Sequence, residues 1–444
     1  MAELESNGPD GAIRATRAPA ARGGGSRIAG NVGSDSGACN RRASGRHRAN
    51  GGTPVHLSVV TAYMPIVLAL PWVILPVLTI VRARHSRTLD DEPATSDADA
   101  PRVSIVIPAR NEARNIERCV RSALASNYPR LEVVAVDDHS TDATGAILRD
   151  IARHERRLRV VVPPPLPTGW FGKQWACTAG AGESTGDILA FFDADTQQAP
   201  DLVPRAVNAM RSRQADLLTV AGAQELGSFW ERMIQPQVFG IMLTRYGGTE
   251  SVNESPRASD KIANGQCIFV TRQAYDDTGG HGAVRDKVAE DLALAQLYFT
   301  LGRRSFLVLG MTQLSTRMYT SLRELVAGWG KNIYAGGRDT VPLGSFGKAI
   351  YPFLLISPAL GGLAPPVLLV LSLAGVLGHG TLVWSAIATT ANLSWWLGVY
   401  ALLGLSPAYA LLYPLGSAMM FYIAARSIVR GKRVQWKDRS YVVQ

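Results

Sequence analysis

Charge is what this 444-residue chain has least of: Asp, Glu, Lys and Arg make up 18% of it, against about a quarter in a typical soluble domain. Two stretches, residues 57–81 and 349–425, contain none of the four. That scarcity moves the chain out of the ordinary soluble class and toward membranes. Cysteine is also sparse. Cys39, Cys119, Cys177 and Cys267 form no CxxC pair, which excludes a disulfide framework and a cysteine-ligated zinc site and leaves ordinary reduced thiols. No repeat of 20 to 50 residues runs through the middle of the chain, so a solenoid is excluded too.

The charge that is present is unevenly placed. The net +10 sits mostly in the tails: residues 1–56 hold eight Arg against Glu3, Glu5, Asp10 and Asp35, and residues 426–444 hold six Lys or Arg against Asp438. The body between them is close to neutral. This excludes a basic nucleic-acid-binding domain, so no nucleic acid is expected as a partner. Basic tails beside apolar segments fit anionic lipid headgroups.

Residues 1–56 are Gly, Ala, Arg, Ser and Asn with few large apolar side chains, too little to offset chain entropy, and read as a disordered basic tail. Residues 57–81 are long enough to cross about 30 Å of hydrocarbon. Pro65, Pro71 and Pro76 interrupt that run, so a re-entrant segment competes with a simple span. An acidic linker over 82–102 follows. Residues 349–425 hold two or three further transmembrane helices, and 426–444 form a basic C-terminal tail.

Between the apolar blocks, residues 103–340 read as an α/β domain. Short β-branched runs at 103–107, 132–136, 159–162, 188–192 and 217–221 alternate with helical stretches near 112–126, 142–155, 173–183 and 200–213. Strands separated by helix-length segments imply βαβ units and a mostly parallel sheet.

Ligands of such sheets bind beyond the carboxyl ends of the strands. Here those ends are polar and largely acidic: Pro108-Ala109-Arg110-Asn111-Glu112, then Asp137-Asp138-His139-Ser140-Thr141-Asp142, then Asp193-Ala194-Asp195. Asp193 and Asp195, two residues apart at a strand terminus, offer hard oxygen ligands for Mg2+ or Mn2+ bridging a diphosphate. Asp137 and Asp138 side by side need something to accept them, and a nucleoside can; helix capping by Thr141 or Asp142 is compatible with that. Lys173 follows a Gly/Pro-rich loop and either meets a phosphate or is a plain surface lysine. Glu290-Asp291 opens an apolar helical stretch, where a carboxylate can take a proton from an acceptor hydroxyl, or simply favour the helix dipole.

Taken in order, these motifs resemble the family 2 glycosyltransferases of the GT-A fold, over about residues 103–335. The resemblance implies a mixed, mostly parallel Rossmann-like sheet flanked by transmembrane helices. It implies that Pro108, Ala109, Glu112 and Asp138, with Arg110, Asp137, Lys173 and Asp193 beside them, line the nucleotide-sugar pocket. Asp193 and Asp195 would hold the metal, and Asp291, with Glu290, would serve as the base of an inverting transfer. Gly169-Trp-Phe-Gly-Lys-Gln-Trp175, Ala263-Asn-Gly-Gln266, Gly279-Gly-His281, Arg317-Met-Tyr319 and Gly328-Trp-Gly-Lys-Asn332 are similar to the membrane-bound hopanoid-associated and carotenoid glycosyltransferases. Within these stretches Gly265, Gln266, His281 and Trp329 are assigned to the acceptor region. The family's processive members carry Gln-x-x-Arg-Trp after the base. Leu325-Val-Ala-Gly328-Trp329 keeps only the Trp, which points to transfer of a single sugar.

The expected partners are therefore a nucleotide sugar, a UDP-sugar first, and a membrane lipid acceptor at the inner cell membrane. A processive polysaccharide synthase and a membrane-bound nucleotidyltransferase are the competing readings. Orientation is the open conflict. Four spans would put both basic tails opposite the catalytic domain, and the positive-inside rule would then place that domain outside the cytoplasm, away from nucleotide sugars. Three spans return the C-terminal tail to the catalytic side. The chemistry favours a cytoplasmic active site.

Overall fold

A computed structural model describes residues 55–94, 100–338, 341, 344–431, 433–436 and 439–442. Most of the expected N-terminal tail lies outside the described residues. The chain opens with helix α1 (Val55–Ala83), which runs without interruption through Pro65, Pro71 and Pro76, so the break allowed by those prolines does not occur.

The α/β region then builds in βαβ order: β1 (Val103–Ala109), α2 (Ile116–Leu124), β2 (Leu131–Asp137), α3 (Thr144–His154), β3 (Leu158–Val161), α4 (Gly172–Gly182) and β4 (Ile188–Phe192). After the short β5 (Thr196–Gln198) come α5 (Leu202–Arg213), β6 (Leu217–Ala221), β7 (Ala223–Gln224), α6 (Phe229–Tyr246) and α7 (Thr249–Asn253). Next are β8 (Cys267–Thr271), α8 (Arg272–Thr278), α9 (Gly280–Ala283), α10 (Glu290–Thr300), β9 (Ser305–Leu309) and β10 (Leu314–Thr316). The C-terminal part is α11 (Leu322–Gly337), α12 (Gly344–Leu373), α13 (His379–Leu402), α14 (Ala408–Leu411), α15 (Tyr413–Arg430) and a hairpin of β11 (Arg433–Trp436) and β12 (Arg439–Val442).

The main sheet has seven strands in the order β3-β2-β1-β4-β8-β6-β9. β8 runs antiparallel to both β4 and β6 while the other pairings are parallel, giving the expected mixed, mostly parallel sheet. A strand such as β1 is buried along nearly its whole length, as a sheet covered on both faces requires. One face packs Ile105, Val133, Phe192 and Phe269 under α2, α3 and α5. The other packs Val106, Val134, Leu189 and Ile268 under α4 and α10. α2 shows why: Ile116, Cys119, Val120, Ala123 and Leu124 fall at helical spacing on its buried side. Gly180 allows α4 to sit directly on the sheet, because a Cβ there would collide with Val106 and Val136.

α1 and α12 are apolar helices whose side chains point outward. Leu68, Val77, Phe353 and Val370 are 58%, 54%, 69% and 66% exposed, a surface water does not tolerate over such an area. Ala62–Ala83 and Gly344–Leu373 are each long and apolar enough to cross a membrane. α13 packs against both of them: the Trp72 ring stands edge-on to Trp384 at 5.3 Å, and Trp72 Nε1 and Asn392 Nδ2 both donate to Gly361 O. At the end of α13, Tyr400 donates through its hydroxyl to Arg232 O in α6, at 3.0 Å. α15 lies against α6 and α11, with Ser427 Oγ donating to Gly330 O at 2.7 Å. The chain therefore leaves the α/β region at α12 and has returned to it by the end of α13.

Candidate active site

Three strand ends converge. β1 and β2 stop at Ala109 and Asp137, and their following loops are stitched together: Asn111 N–H donates to Ser140 Oγ at 3.0 Å, and Thr141 N–H donates to Asn111 Oδ1 at 2.8 Å. Asn111 and His139 both take left-handed backbone, at φ 54° and 57°, which turns each loop sharply at the sheet edge. Arg110 Nη1 donates to the carbonyls of Asp138 and His139, tying the first loop to the second. Ala109 is itself buried in the core, so only its backbone faces the loops, and its carbonyl accepts from Asp138 N–H at 2.8 Å.

Asp137 and Asp138 divide their tasks. Asp137 Oδ1 accepts from Ser140 N–H at 3.0 Å and so shapes the turn. Asp138, 2% exposed at its side chain, instead meets the C-terminal hairpin: Arg439 donates through Nη1 to Oδ2 at 2.6 Å and through Nη2 to Oδ1 at 3.2 Å. Neither Thr141 nor Asp142 is the cap expected of them: the N-cap of α3 is Ala143, without a side-chain hydrogen bond, and Asp142 lies one residue before it, its Oδ1 accepting from the N–H and hydroxyl of Thr144.

The third cluster follows β4, which ends at Phe192, so Asp193 and Asp195 project from an irregular turn rather than from opposite faces of a strand. Antiparallel β8 starts alongside that end, with Cys267 paired to Phe192. This places the 265–266 loop next to the carboxylates, and Asp193 N–H donates to Gln266 O at 3.2 Å. From α4, Lys173 reaches between two acids. Its Nζ lies 2.6 Å from Asp193 Oδ1 and 2.7 Å from Glu290 Oε1. Lys173 is thus a member of the cluster and not a surface lysine. Beside it, Asp291 accepts from Gly265 N–H at 3.0 Å through Oδ2 and from Leu292 N–H at 2.8 Å through Oδ1. Pro108, Lys173, Asp193, Gly265, His281 and Glu290 border a cavity of about 10 Å³, room for roughly one water.

Crowding sets the protonation states. Burial works against the Lys173 ammonium, but Asp193 and Glu290 outweigh it and hold Lys173 firmly charged. Burial also opposes the charge on Glu290, yet Lys173 keeps that carboxyl below its usual range. Burial and then the Glu290 charge push Asp291 up to about 6. Burial and then the Asp193 charge push Asp195 up to about 8, which marks a carboxylate in need of a cation.

A divalent metal fits this turn. Asp195 Oδ1 is buried without a hydrogen-bond partner, and the donors are all hard carboxylate oxygens. Among the described residues no three His, Cys, Asp or Glu side chains close into a cage. An open pair of carboxylates suits Mg2+ or Mn2+, which keep waters and share their coordination with phosphates.

The residues assigned to the acceptor separate. Gly265 and Gln266 sit at the cluster, with Gln266 Oε1 accepting from Gln224 and Asn264 amides. His281 is 2% exposed, packed edge-on to Phe191 and hydrogen-bonded to Tyr275, and burial depresses it to about 3, so it is a neutral wall of the cavity. Trp329 lies further off, between Tyr319 and Phe239 where α11 meets α6. Among the apolar side chains of α6, Met233 is fully buried while Phe229 and Met242 remain 42% and 40% exposed.

Two basic residues join the site without having been singled out. Lys331 in α11 is electrostatically coupled to Glu290, Asp193 and Asp291, and burial lowers its affinity for a proton. It stands in the Gly328-Trp-Gly-Lys-Asn332 stretch, which was the available signal. Nothing in the sequence announced Arg439.

The family model for glycosyl transferase family 2 matches residues 104–279, which span all three strand-end clusters. Two curated relatives are named 4,4'-diaponeurosporenoate glycosyltransferase. The one from Staphylococcus haemolyticus is 26% identical over 54% of this chain and 63% of its own length. The one from Staphylococcus aureus strain MRSA252 is 27% identical over the same shares. The chain thus spans a little under two thirds of these relatives. Among solved structures, the mannosyltransferase PcManGT from Pyrobaculum calidifontis, in complex with GDP-Man and Mn2+, is 21% identical with a TM-score of 0.48, covering 83% of this chain and 98% of that one.

Proposed function

We propose that this chain, a glycosyltransferase with a family 2 domain at residues 104–279, moves a single sugar from a nucleotide-sugar donor, a UDP-sugar first, to a membrane lipid. The carrying observation is the Lys173 bridge, which joins Asp193 to the Glu290-Asp291 pair within one cluster. The compound in the relatives' name, 4,4'-diaponeurosporenoate, supports a lipid-like acceptor of the carotenoid or hopanoid kind.

In this reading Asp138 and the loops after β1 and β2 hold the nucleoside. Asp193 and Asp195 would hold Mg2+ or Mn2+, whose charge neutralises the diphosphate. Asp291 takes the proton from the acceptor oxygen as that oxygen attacks C1 of the sugar, and the nucleoside diphosphate departs from the opposite face, inverting the centre. Backbone donors at Gly265 and Leu292 fix the carboxylate for this task. Lys173 keeps Glu290 ionised, and the Glu290 charge in turn raises the basicity of Asp291.

The contact of Arg439 with Asp138 also bears on orientation. A tail that touches the catalytic domain lies on its side of the bilayer, so the chain between residues 340 and 439 crosses an even number of times. α12 and α13 supply those two crossings, α1 supplies a third, and α15 rests on the domain. The three-span arrangement sets the C-terminal basic residues beside a cytoplasmic active site, which removes part of the conflict between the positive-inside rule and nucleotide-sugar supply.

The test is transfer by purified protein in detergent, with a panel of UDP-, GDP- and dTDP-sugars and added Mn2+ or Mg2+, and with extracted lipids analysed by mass spectrometry. A metal-dependent glycolipid product that disappears in Asp195→Asn supports the reading. Metal-dependent nucleotide turnover without sugar transfer to any lipid overturns it.

A further inference from the structure

The Arg439–Asp138 pair joins residues 301 apart in sequence and closes the nucleoside end of the site. Its geometry is bidentate, with two guanidinium nitrogens on two carboxylate oxygens at 2.6 and 3.2 Å, the arrangement with the most directional hydrogen bonding available to such a pair. His139 Nδ1 lies 3.3 Å from the same Oδ1. With Arg439 in place, the Asp138 side chain is 2% exposed and Arg439 itself only 20%. A carboxylate covered in this way has no open oxygen for a ribose hydroxyl or a base N–H.

The covering segment is positioned by the fold. α15 is pinned to α11 by Ser427, whose Oγ donates to Gly330 O and accepts from Tyr334 N–H. Gly431, at φ 58° and ψ −123°, ends the helix in a backbone conformation that favours glycine and turns the chain toward β11. The hairpin is only two four-residue strands, β11 and β12, paired to each other and to no other strand among the described residues. Such a two-stranded element has little stability of its own, so it can leave without disturbing the main sheet.

We propose that the C-terminal hairpin is a self-occluding latch on the donor site, with Arg439 and the donor nucleoside competing for Asp138. This rests on the assignment of Asp138 as a nucleoside ligand. Donor binding displaces Arg439, and the freed hairpin carries that guanidinium toward the anionic membrane surface.

Binding of UDP and of GDP, each with Mn2+, to the full chain in detergent tests the latch by calorimetry. Arg439→Ala is expected to bind the nucleotide that the enzyme uses about two- to tenfold more tightly than the unaltered chain, the range for releasing one partly exposed ion pair. Amide hydrogen exchange over residues 433–442 of the unaltered chain is expected to speed up when that nucleotide is added. Weaker or unchanged binding by Arg439→Ala overturns the latch, weaker binding making Arg439 a wall of the donor site instead. Asp138→Asn separates the two layers of the argument. If it loses nucleotide binding while Arg439→Ala gains none, the latch alone fails; if it binds like the unaltered chain, the assignment of Asp138 fails and the latch with it.

Discussion

The backbone N–H of Gly265 donates to Asp291 Oδ2 at 3.0 Å, so the loop leading into the single antiparallel strand of the sheet's centre positions the carboxylate at the head of α10. A Cβ on Gly265 would press on Asp291, which ties the absence of a side chain at one residue to the placement of the other.

Replacing the base while keeping its shape isolates its chemistry. Asp291→Asn is expected to lower sugar transfer by about 10²- to 10⁴-fold, the usual contribution of a general base, while nucleotide binding stays within a small factor. Initial rates and calorimetric binding on the same preparation check this. Transfer at the original rate removes Asp291 as the base.

The pH profile follows from the position of the Asp291 carboxyl at about 6. A base works when deprotonated, so transfer falls tenfold per pH unit below about 6 and levels off above it. Rates measured from pH 4.5 to 8.5 locate the limb. An inflection near pH 4, the range of an unperturbed Asp, contradicts the arrangement.

Lys173 competes with any metal for Asp193 and yet supplies positive charge that a diphosphate needs. Lys173→Met therefore moves two affinities in opposite directions: Mn2+ alone binds more tightly, and UDP in the presence of Mn2+ binds more weakly. Electron paramagnetic resonance of free Mn2+ and calorimetry of UDP read the two effects. A loss of both would show instead that Lys173 only holds the turn together.

Gly180 tests the fold rather than the chemistry. Gly180→Val forces a branched side chain against Val106 and Val136 and is expected to cost about 1–3 kcal/mol, seen as a lower thermal midpoint. Gly182, two residues on in the same helix with open space around its Cβ position, is the control: Gly182→Ala leaves the midpoint unchanged or raises it.

Much of the α/β region could be read directly from the chain. The strand runs at 188–192 and 217–221 coincide with β4 and β6, and those near 103, 132 and 159 differ from β1, β2 and β3 by one or two residues. Unbroken β-branched runs between helix-period segments leave little choice, because a strand buried on both faces must be apolar throughout. β8 escaped that reading. Cys267–Thr271 follows a long helical and irregular stretch, and its antiparallel insertion between β4 and β6 depends on partners 49 or more positions away.

The sequence by itself determined which acids stand at which strand ends, since a strand's terminus and the residue after it are local facts. Only the tertiary structure decided what those acids meet. Lys173 was indistinguishable from a surface lysine until α4 packed on the sheet and swung it between Asp193 and Glu290. Arg439 was one more charge in a basic tail until α15 lay down on α6 and α11 and delivered the hairpin to Asp138. Charge pairing falls off over a few ångströms in space and carries no mark along the chain, so it is written by packing and not by spacing.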